Sequence, residues 1–251
     1  DAIRHGITKM SHLHFTATNE YKNRVIQLGE NPKRVFNVGG LGIDNIRKLK
    51  LLSKVDFEKS INFKLNKKNL LLTFHPVTLE KQSTLQFQEL LDALDRLKET
   101  NIIFTYANAD TNGRKINEMI ENFVENHKTT AVSFKSLGQL RYLSALNFVD
   151  AVIGNSSSAL LEAPSFKLAS INIGNRQEGR LKAQSIIDCS AQRGEILNAI
   201  QQVYSIQFQK SLTNAELQQS SKNNLLDCYM QFLFWFFSGR INRPWQWVDI
   251  R

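Results

Sequence analysis

Three short apolar runs of this chain each end in side chains that can do chemistry. The runs span residues 70–74, 102–106 and 151–154. The groups that follow them are an imidazole, an amide with a carboxylate, and a serine-rich turn with a carboxylate: His75; Asn108 and Asp110; Ser156, Ser157 and Glu162. A serine-rich turn that begins a helix exposes unpaired N–H groups that suit a phosphate, and a carboxylate about one turn later suits ribose hydroxyls. The residue types therefore indicate a phosphate and ribose site.

Each of these features also has an ordinary structural interpretation. A histidine before a proline, as in His75-Pro76, is commonly a turn or capping residue, and an Asn-Ser-Ser run commonly caps a helix. Glu162 by itself is typical of a first-turn partner for the helix dipole. The functional interpretation is favoured because independent loops carry such groups at successive strands of one predicted sheet.

The elements that must position these groups alternate between strands and helices. Further apolar, β-branched runs predict strands at 13–17, 34–38, 131–134 and 169–173. Helical spacing predicts two apolar helix faces between the strands: Leu85, Phe87, Leu90, Leu91, Leu94 and Leu97; Ile116, Met119, Ile120 and Phe123. Continuous apolar strands that alternate with helices predict an α/β fold with a parallel sheet covered on both faces. Ligands of such sheets bind beyond the carboxyl ends of the strands.

Length, composition and charge set further limits. The chain has 251 residues, of which 42% are apolar and 22% charged, which is typical of a globular protein with one domain and part of a second. The net charge of +9 favours an anionic ligand, but the lysines are scattered, so no nucleic-acid partner is predicted. Cys189 and Cys228 are far apart and lack CxxC spacing, so a disulfide framework is not expected and a reducing cytoplasm is the predicted location.

Two histidines raise the question of a metal. His12 and His14 are two residues apart in a predicted strand, so a metal pair is one interpretation. Packing or hydrogen bonding is favoured because no third ligand lies nearby in sequence. The chain has no GxxxxGKS or GxxxxGKT, GxGxxG, HExxH or GxSxG motif, which excludes the common NTPase, dinucleotide, zinc-protease and serine-hydrolase classes. No metal and no cofactor is predicted.

The segment from Asp1 to Phe15, DAIRHGITKMSHLHF, resembles the D-x-I-R-H-x-I-T-K-x-x-H-x-H segment of the hydrolysing UDP-N-acetylglucosamine 2-epimerases. The motifs HPVT at 75–78, NAD at 108–110 and GNSSS at 154–158, then Glu162 and NIGNRQ at 172–177, follow in that family's order and at similar spacing. The resemblance covers about residues 1–205. Asn112 and Ala159 stand where relatives carry glycine, and asparagine tolerates the left-handed conformation that glycine adopts.

The resemblance implies a GT-B arrangement, in which two Rossmann-like domains face each other and a UDP-sugar lies between them. On this basis residues 1–11 are a remnant of the N-terminal catalytic domain, 12–210 the UDP-binding second domain, and 211–251 a divergent aromatic tail. The tail contains an apolar run at 225–237 that is too short for a membrane span. A shifted reading frame and a native tail that packs on the domain are both compatible with it.

Residue roles are also implied by the resemblance. His75 would approach the diphosphate and Arg176 would lie near it, while Asn108 and Asp110 would line the nucleotide side of the cleft. Ser156 and Ser157 would bind phosphate, and Glu162 would hold the ribose. Asp1 matches one member of an acidic pair that handles protons at the sugar, with Arg4 and His5 beside it.

The family reaction eliminates UDP across C1–C2 of the sugar to give a glycal, which is then hydrated to the 2-epimer. The expected function is therefore conversion of UDP-N-acetylglucosamine, or a UDP-diacetamido sugar, to UDP and a free N-acetylmannosamine-type sugar for sialic-acid-like sugar biosynthesis. Family members usually self-associate, which implies a homo-oligomer. The alternatives are a UDP-binding fragment without turnover and a GT-B glycosyltransferase domain.

Overall fold

The structure, a computed structural model, describes residues 2–40, 46, 49–77, 82–108 and 112–213. The chain divides into two compact units, one of Asp1–Lys48 with Gln218–Arg251 and one of Leu49–Leu217. The predicted site residues Asp1 and Asp110, Cys228 and the tail from residue 214 onward lie outside the described residues. The domain boundaries after residues 11 and 210 stay predictions.

Among its described residues, the first unit contains helices and a short parallel strand pair. Its elements are helix α1 (Ala2–Met10), strand β1 (His14–Thr16), helix α2 (Asn19–Gln27), a 3-10 turn (Pro32–Arg34) and strand β2 (Val35–Asn37). The strands pair with Phe15 opposite Phe36, and the two rings stack at 5.7 Å between centroids. Thr18 begins α2 because its hydroxyl accepts a hydrogen bond from the Tyr21 N–H, which would otherwise have no partner at the helix start.

The two histidines of this unit make hydrogen bonds. His14 is buried, and its Nε2 lies 3.2 Å from a carboxylate oxygen of Glu30, which also accepts from Lys9. His12 precedes the strand, and its Nδ1 accepts from Arg34 at 3.2 Å. The hydrogen-bonding interpretation of the pair is confirmed. Among the residues that the structure describes, no three or more His, Cys, Asp or Glu side chains form a group that suits a metal ion.

The second unit is built around a parallel sheet. Its strands are β3 (Lys68–Thr73), β4 (Thr100–Thr105), β5 (Ala131–Phe134), β6 (Ala151–Gly154), β7 (Ala169–Ile173) and β8 (Ile186–Cys189). Its helices are α3 (Lys54–Ile61), α4 (Ser83–Leu94), α5 (Gly113–Asn126), α6 (Gly138–Ala145), α7 (Ser157–Leu161), α8 (Arg193–Val203) and α9 (Ile206–Thr213), with a 3-10 turn at Ala163–Phe166.

The order of the strands creates a crevice at the centre of the sheet. The order is β5-β4-β3-β6-β7-β8, and every neighbouring pair is parallel. Counted within this unit alone, the order is 3-2-1-4-5-6, that of a Rossmann fold. The chain leaves β3 toward one side of the sheet and β6 toward the other, so the loops that follow these two strands separate. This is the switch point at which α/β proteins bind ligands.

The burial of the central strands shows that the sheet is covered on both faces. Every residue of β4, β6 and β7 is buried, and β3 is buried except at Lys68. Burial on both faces requires continuous apolar runs in place of alternation. The predicted α/β class, with helices on both sides of a parallel sheet, is confirmed.

Most predicted strands lie where the apolar runs indicated, and three of them, β5, β6 and β7, have the predicted bounds. β3 and β4 begin two residues before their apolar runs. The added residues include the buried side chains of Asn69 and Asn101. The amide of Asn69 donates to the carbonyl of Asn66, and that of Asn101 donates to the carbonyl of Lys64. These hydrogen bonds replace the ones to water that burial removes, so the polar side chains are tolerated within the strands.

Three features of the second unit differ from the prediction. Leu97 lies beyond the end of α4 at Leu94, so it is not part of that helix face. Leu85 is 65% exposed and does not belong to the buried face of α4, because it lies two residues before Phe87 and therefore about 200° around the helix. The edge strand β8 was not predicted, since its four residues include Asp188 and Cys189 and show no continuous apolar run. In the described part of the chain, every helix is too short or too polar to span a bilayer.

A candidate nucleotide site at the switch point

Gly154 brings the ends of β3 and β6 into close contact. Its φ is +137°, a conformation that side chains other than glycine rarely adopt, and a Cβ added there would lie 1.9 Å from the carbonyl oxygen of Thr73. The next residue, Asn155, therefore begins its loop directly beside the loop that follows β3. The glycine of the GNSSS motif is thus required by the packing of two neighbouring backbones.

Asn155 joins those two loops through its side chain. Its Oδ1 accepts from the backbone N–H of His75 at 2.7 Å, and its Nδ2 donates to the backbone carbonyl of His75, also at 2.7 Å. Asn155 is 1% exposed, so both bonds are shielded from water. The backbone of His75 is therefore held on both of its polar atoms by a residue 80 positions later in the chain.

The imidazole of His75 is oriented by the loop after β4. The backbone N–H of Asn108 donates to His75 Nδ1 at 3.2 Å, and the His75 side chain is buried. Because Nδ1 accepts a hydrogen bond, the neutral ring carries its proton on Nε2. His75 is thus set as an Nε2–H donor, which is the form that suits an anionic ligand.

A fourth loop, after β7, meets the same centre. The carbonyl oxygen of Asn155 accepts from Arg176 Nη1 at 3.0 Å and from Gln177 Nε2 at 2.6 Å. Gln177 is buried, whereas Arg176 is exposed at the surface of the loop. The structure therefore brings the predicted residues His75 and Arg176 to Asn155, and Asn108 to His75.

The serine-rich turn begins α7 as predicted. Ser156 is the N-cap, and its hydroxyl accepts from the backbone N–H of Ser158 at 3.4 Å. Ser156 and Ser157 are half-buried, next to the loop that carries Asn155. The helix itself has only five residues, because Pro164 and the 3-10 turn that contains it follow at once.

The interpretation of Glu162 as a first-turn dipole partner is wrong, because Glu162 is the C-cap of this short helix. A carboxylate at that end gains nothing from the helix dipole. Burial raises the pKa of Glu162 above its ordinary value. No hydrogen bond or ion pair to this carboxylate occurs within the described residues, so it is an acceptor held in a half-desolvated position.

The turn before α5 supports Asn108 from the other side. Asn112 has φ of 71°, the left-handed conformation expected of an asparagine that replaces glycine. A Cβ added to Gly113 would lie 2.0 Å from the carbonyl oxygen of Asn108, so a side chain there would displace this backbone. Asp110 belongs to the same turn in sequence but lies outside the described residues.

Arg4 and His5 lie on α1 in the first unit, and both are exposed. The structure describes them only within that unit. Their predicted roles at the sugar therefore stay predictions, as do the ligand roles of the residues at the switch point.

Three residues of this centre were not among the predicted site residues: Asn155, Gln177 and Tyr142. Asn155 and Gln177 stand inside the GNSSS and NIGNRQ motifs, and their place beside predicted site residues is a signal that the sequence offers. Tyr142 on α6 contacts the Ser158 hydroxyl at 2.7 Å, and nothing in the sequence connects positions 16 residues apart on separate elements.

A cavity of about 310 Å³ lies between α4 and α5 and is lined in part by Asp95 and His127. The Nε2 atom of His127 lies 3.0 Å from a carboxylate oxygen of Asp95, near the C-terminal ends of the two helices. A helix that returns between parallel strands ends near the amino edge of the sheet, whereas the candidate site lies at the carboxyl edge. The cavity is therefore separate from the candidate site.

Comparison with known proteins decides the family. A family profile described as UDP-N-acetylglucosamine 2-epimerase matches residues 1–224. The chain belongs to this family. The recognition made from the motifs is confirmed, and the switch-point residues lie inside the matched range.

Named relatives of this epimerase family share a large part of the chain. A Campylobacter jejuni protein named GDP/UDP-N,N'-diacetylbacillosamine 2-epimerase (hydrolyzing) is 45% identical over 212 residues, which are 84% of this chain and 55% of that protein. An Escherichia coli protein named polysialic acid biosynthesis protein P7 is 44% identical over 203 residues, 79% of this chain and 50% of that protein. The chain spans about half the length of the curated relatives it matches.

A solved structure shows the same fold at low identity. The S. aureus MnaA–UDP co-structure superposes with a TM-score of 0.71 at 13% identity and covers 96% of this chain and 65% of that chain. At this identity the similarity establishes the fold of the epimerase family and no individual residue role.

Proposed function

We propose that this chain is part of a hydrolysing UDP-sugar 2-epimerase and supplies the UDP-binding half of its active site. The observation that carries the proposal is the meeting of loops at the switch point of the sheet, in a chain of the epimerase family. Asn155 bonds His75 and Arg176 directly, and the loop of Asn108 joins them through His75. The bound UDP of the S. aureus relative supports the choice of nucleotide. We keep the domain proposal of a catalytic remnant at 1–11, a UDP-binding domain at 12–210 and a divergent tail.

In this proposal the diphosphate lies between His75, Arg176 and the start of α7. His75 donates from Nε2, Arg176 contributes a positive charge, and the N–H and hydroxyl groups of Ser156 and Ser157 complete the donor set. Asn108 and Asp110 line the nucleotide side. Donors fixed before the ligand arrives stabilise charge that develops on a leaving group without having to reorganise. These groups therefore favour departure of UDP from the sugar.

Glu162 is proposed to accept hydrogen bonds from the ribose hydroxyls. Its carboxylate is half-buried and holds a raised pKa because of that burial. Two hydroxyl donors would compensate the lost solvation, since buried polar groups are stable when they are hydrogen-bonded. The same property gives the residue a measurable signature, because ligand binding and proton binding then compete at one carboxylate.

The proposed chemistry is elimination followed by hydration. A base removes the C2 proton of the sugar, the C2–H electron pair forms the C1–C2 double bond, and UDP leaves C1 with the electron pair of the C1–O bond. Water then adds across the double bond, and the new C2 proton enters from the opposite face to give the 2-epimer. Asp1, Arg4 and His5 are the residues of this chain that we assign to the sugar side of the reaction.

The sugar is proposed to be N-acetylglucosamine or a diacetamido relative, and the product a free N-acetylmannosamine-type sugar. The diacetylbacillosamine and polysialic acid names of the two curated relatives support this class. The use of the product in sialic-acid-like sugar biosynthesis is part of the same proposal.

A second candidate is UDP binding without turnover by the 251-residue chain. The observation that favours it is coverage of only 50–55% of the curated relatives. We expect the isolated chain to bind UDP and to release no N-acetylmannosamine from UDP-N-acetylglucosamine. Detection of that free sugar by chromatography would favour the complete enzyme over the binding fragment.

Titration calorimetry with UDP tests the binding proposal. We expect heat that saturates with UDP and a dissociation constant at least about tenfold weaker in Glu162→Ala, because a hydrogen bond to a charged group contributes about 1.5–3 kcal/mol. Glu118→Ala is the matched control, since Glu118 is exposed on α5. The absence of heat with millimolar UDP from the folded chain would refute the proposal.

A further inference from the structure

A chain of hydroxyl groups connects α6 to the start of α7. The phenol oxygen of Tyr142 lies 2.7 Å from Ser158 Oγ, and Ser158 Oγ lies 3.1 Å from Ser156 Oγ. Ser156 is the N-cap of α7 and the first of the serines that we assign to the diphosphate. Three hydroxyls therefore form a line that leads from the packed side of α6 to the proposed ligand.

The direction of donation along this line follows from the available acceptors. Within the described residues, Ser158 Oγ is the one hydrogen-bond partner of the Tyr142 hydroxyl. If Ser158 donated to Tyr142, the phenol proton would be left without an acceptor in a desolvated position, which is costly. Tyr142 therefore donates to Ser158. Burial also raises the pKa of Tyr142, which favours the protonated phenol.

The same reasoning applies to the next hydroxyl. Ser158 Oγ accepts from Tyr142, and its own proton has Ser156 Oγ as the acceptor within reach. Ser156 Oγ then accepts from the hydroxyl and the backbone N–H of Ser158. With both lone pairs occupied, Ser156 Oγ can only donate to a ligand.

We propose that Tyr142 is a positioning residue that acts through Ser158 to fix the hydroxyl of Ser156 as a hydrogen-bond donor toward the diphosphate. This inference rests on the proposed function, because the anion is the diphosphate of UDP. An anion accepts hydrogen bonds and never donates them, so a serine fixed as a donor binds it without a rotational rearrangement. The arrangement also disfavours a neutral donor group at the same place.

Hydroxyl-only substitutions in the full 251-residue chain test the inference. Tyr142→Phe removes the first donor and retains the ring, and Ser158→Ala interrupts the line at its centre. Dissociation constants are measured for UDP by calorimetry and for uridine by saturation-transfer NMR. Tyr204→Phe is the matched control, because in the described part of the chain Tyr204 also donates to one partner, Asp150, at the amino end of the sheet.

We expect Tyr142→Phe and Ser158→Ala each to weaken UDP binding about three- to tenfold and to leave uridine binding unchanged. On a Ser156→Ala background, Tyr142→Phe is expected to have no further effect, because the group that it positions is gone. Tyr204→Phe is expected to bind both ligands as the original chain does.

Three results would overturn the inference. Equal losses for UDP and uridine would show a general structural role for Tyr142, and unchanged UDP binding in Tyr142→Phe and Ser158→Ala would show no role in anion binding. Additive losses in the double variant would show that Tyr142 does not act through Ser156. Failure of the unsubstituted chain to bind UDP would instead refute the proposed function, and the inference would fall with it.

Discussion

Replacement of Asn155 by alanine tests the organisation of the switch point most directly. The substitution removes an amide that makes two hydrogen bonds of 2.7 Å, one to the N–H and one to the carbonyl of His75. The methyl group of alanine has no donor or acceptor. Because Asn155 is 1% exposed, water does not replace the lost partners in the native packing.

The magnitude follows from counting the groups left without partners. A buried backbone donor or acceptor without a partner costs about 1–3 kcal/mol, so the two groups of His75 together cost about 2–6 kcal/mol. This is a large fraction of the 5–15 kcal/mol that is typical for a folded domain. UDP affinity is expected to fall by at least about tenfold, because the His75 backbone is no longer held beside the loop after β6.

Urea denaturation followed by circular dichroism measures the free energy of unfolding, and calorimetry on the folded fraction measures UDP affinity. Asn101→Ala is the matched control: Asn101 is 4% exposed and donates one side-chain bond, to the carbonyl of Lys64 at 2.7 Å. We expect it to cost about 1–3 kcal/mol, roughly half as much, and to leave UDP affinity unchanged. The reasoning is refuted if Asn155→Ala destabilises the chain no more than Asn101→Ala does.

Two further predictions concern the same site. Gly154→Ala is expected to reduce the free energy of unfolding by about 2–6 kcal/mol, because its φ of +137° is strained for alanine and its Cβ would overlap the Thr73 carbonyl. Gly194→Ala, where an added Cβ meets nothing within 4 Å, is the control in the same denaturation assay. Equal stability of the two variants would contradict the prediction. Because burial raises the folded-state pKa of Glu162, the folded chain holds this proton more tightly than the unfolded chain, and this carboxylate's contribution to stability falls as pH rises from about 4.5 to the raised value. Glu162→Gln is therefore expected to raise the melting temperature relative to the original chain at pH 8 and to raise it less at pH 4; a gain that is the same at both pH values would show that the carboxylate is not desolvated.

The sequence alone determined the strands β3 to β7 and where their polar ends lie. The strands at 131–134, 151–154 and 169–173 could be predicted with their bounds, because a strand buried on both faces must be apolar at every position. The left-handed turn at Asn112 was predictable for a similarly local reason, since few residue types adopt that conformation. Motif order then identified the family, which the profile match confirms.

Only the tertiary structure decided how these ends are joined. The contact between Asn155 and His75 crosses 80 residues, and the contact between Tyr142 and Ser158 joins two helices. The place of Glu162 at the end of α7 depends on where the helix begins and stops, which apolar spacing alone does not determine. Hydrogen bonds between distant loops depend on the order of the strands, and no local preference of a single residue encodes that order. The sequence thus determined the residues available for binding, whereas the packing of β3 against β6 decided which of them meet.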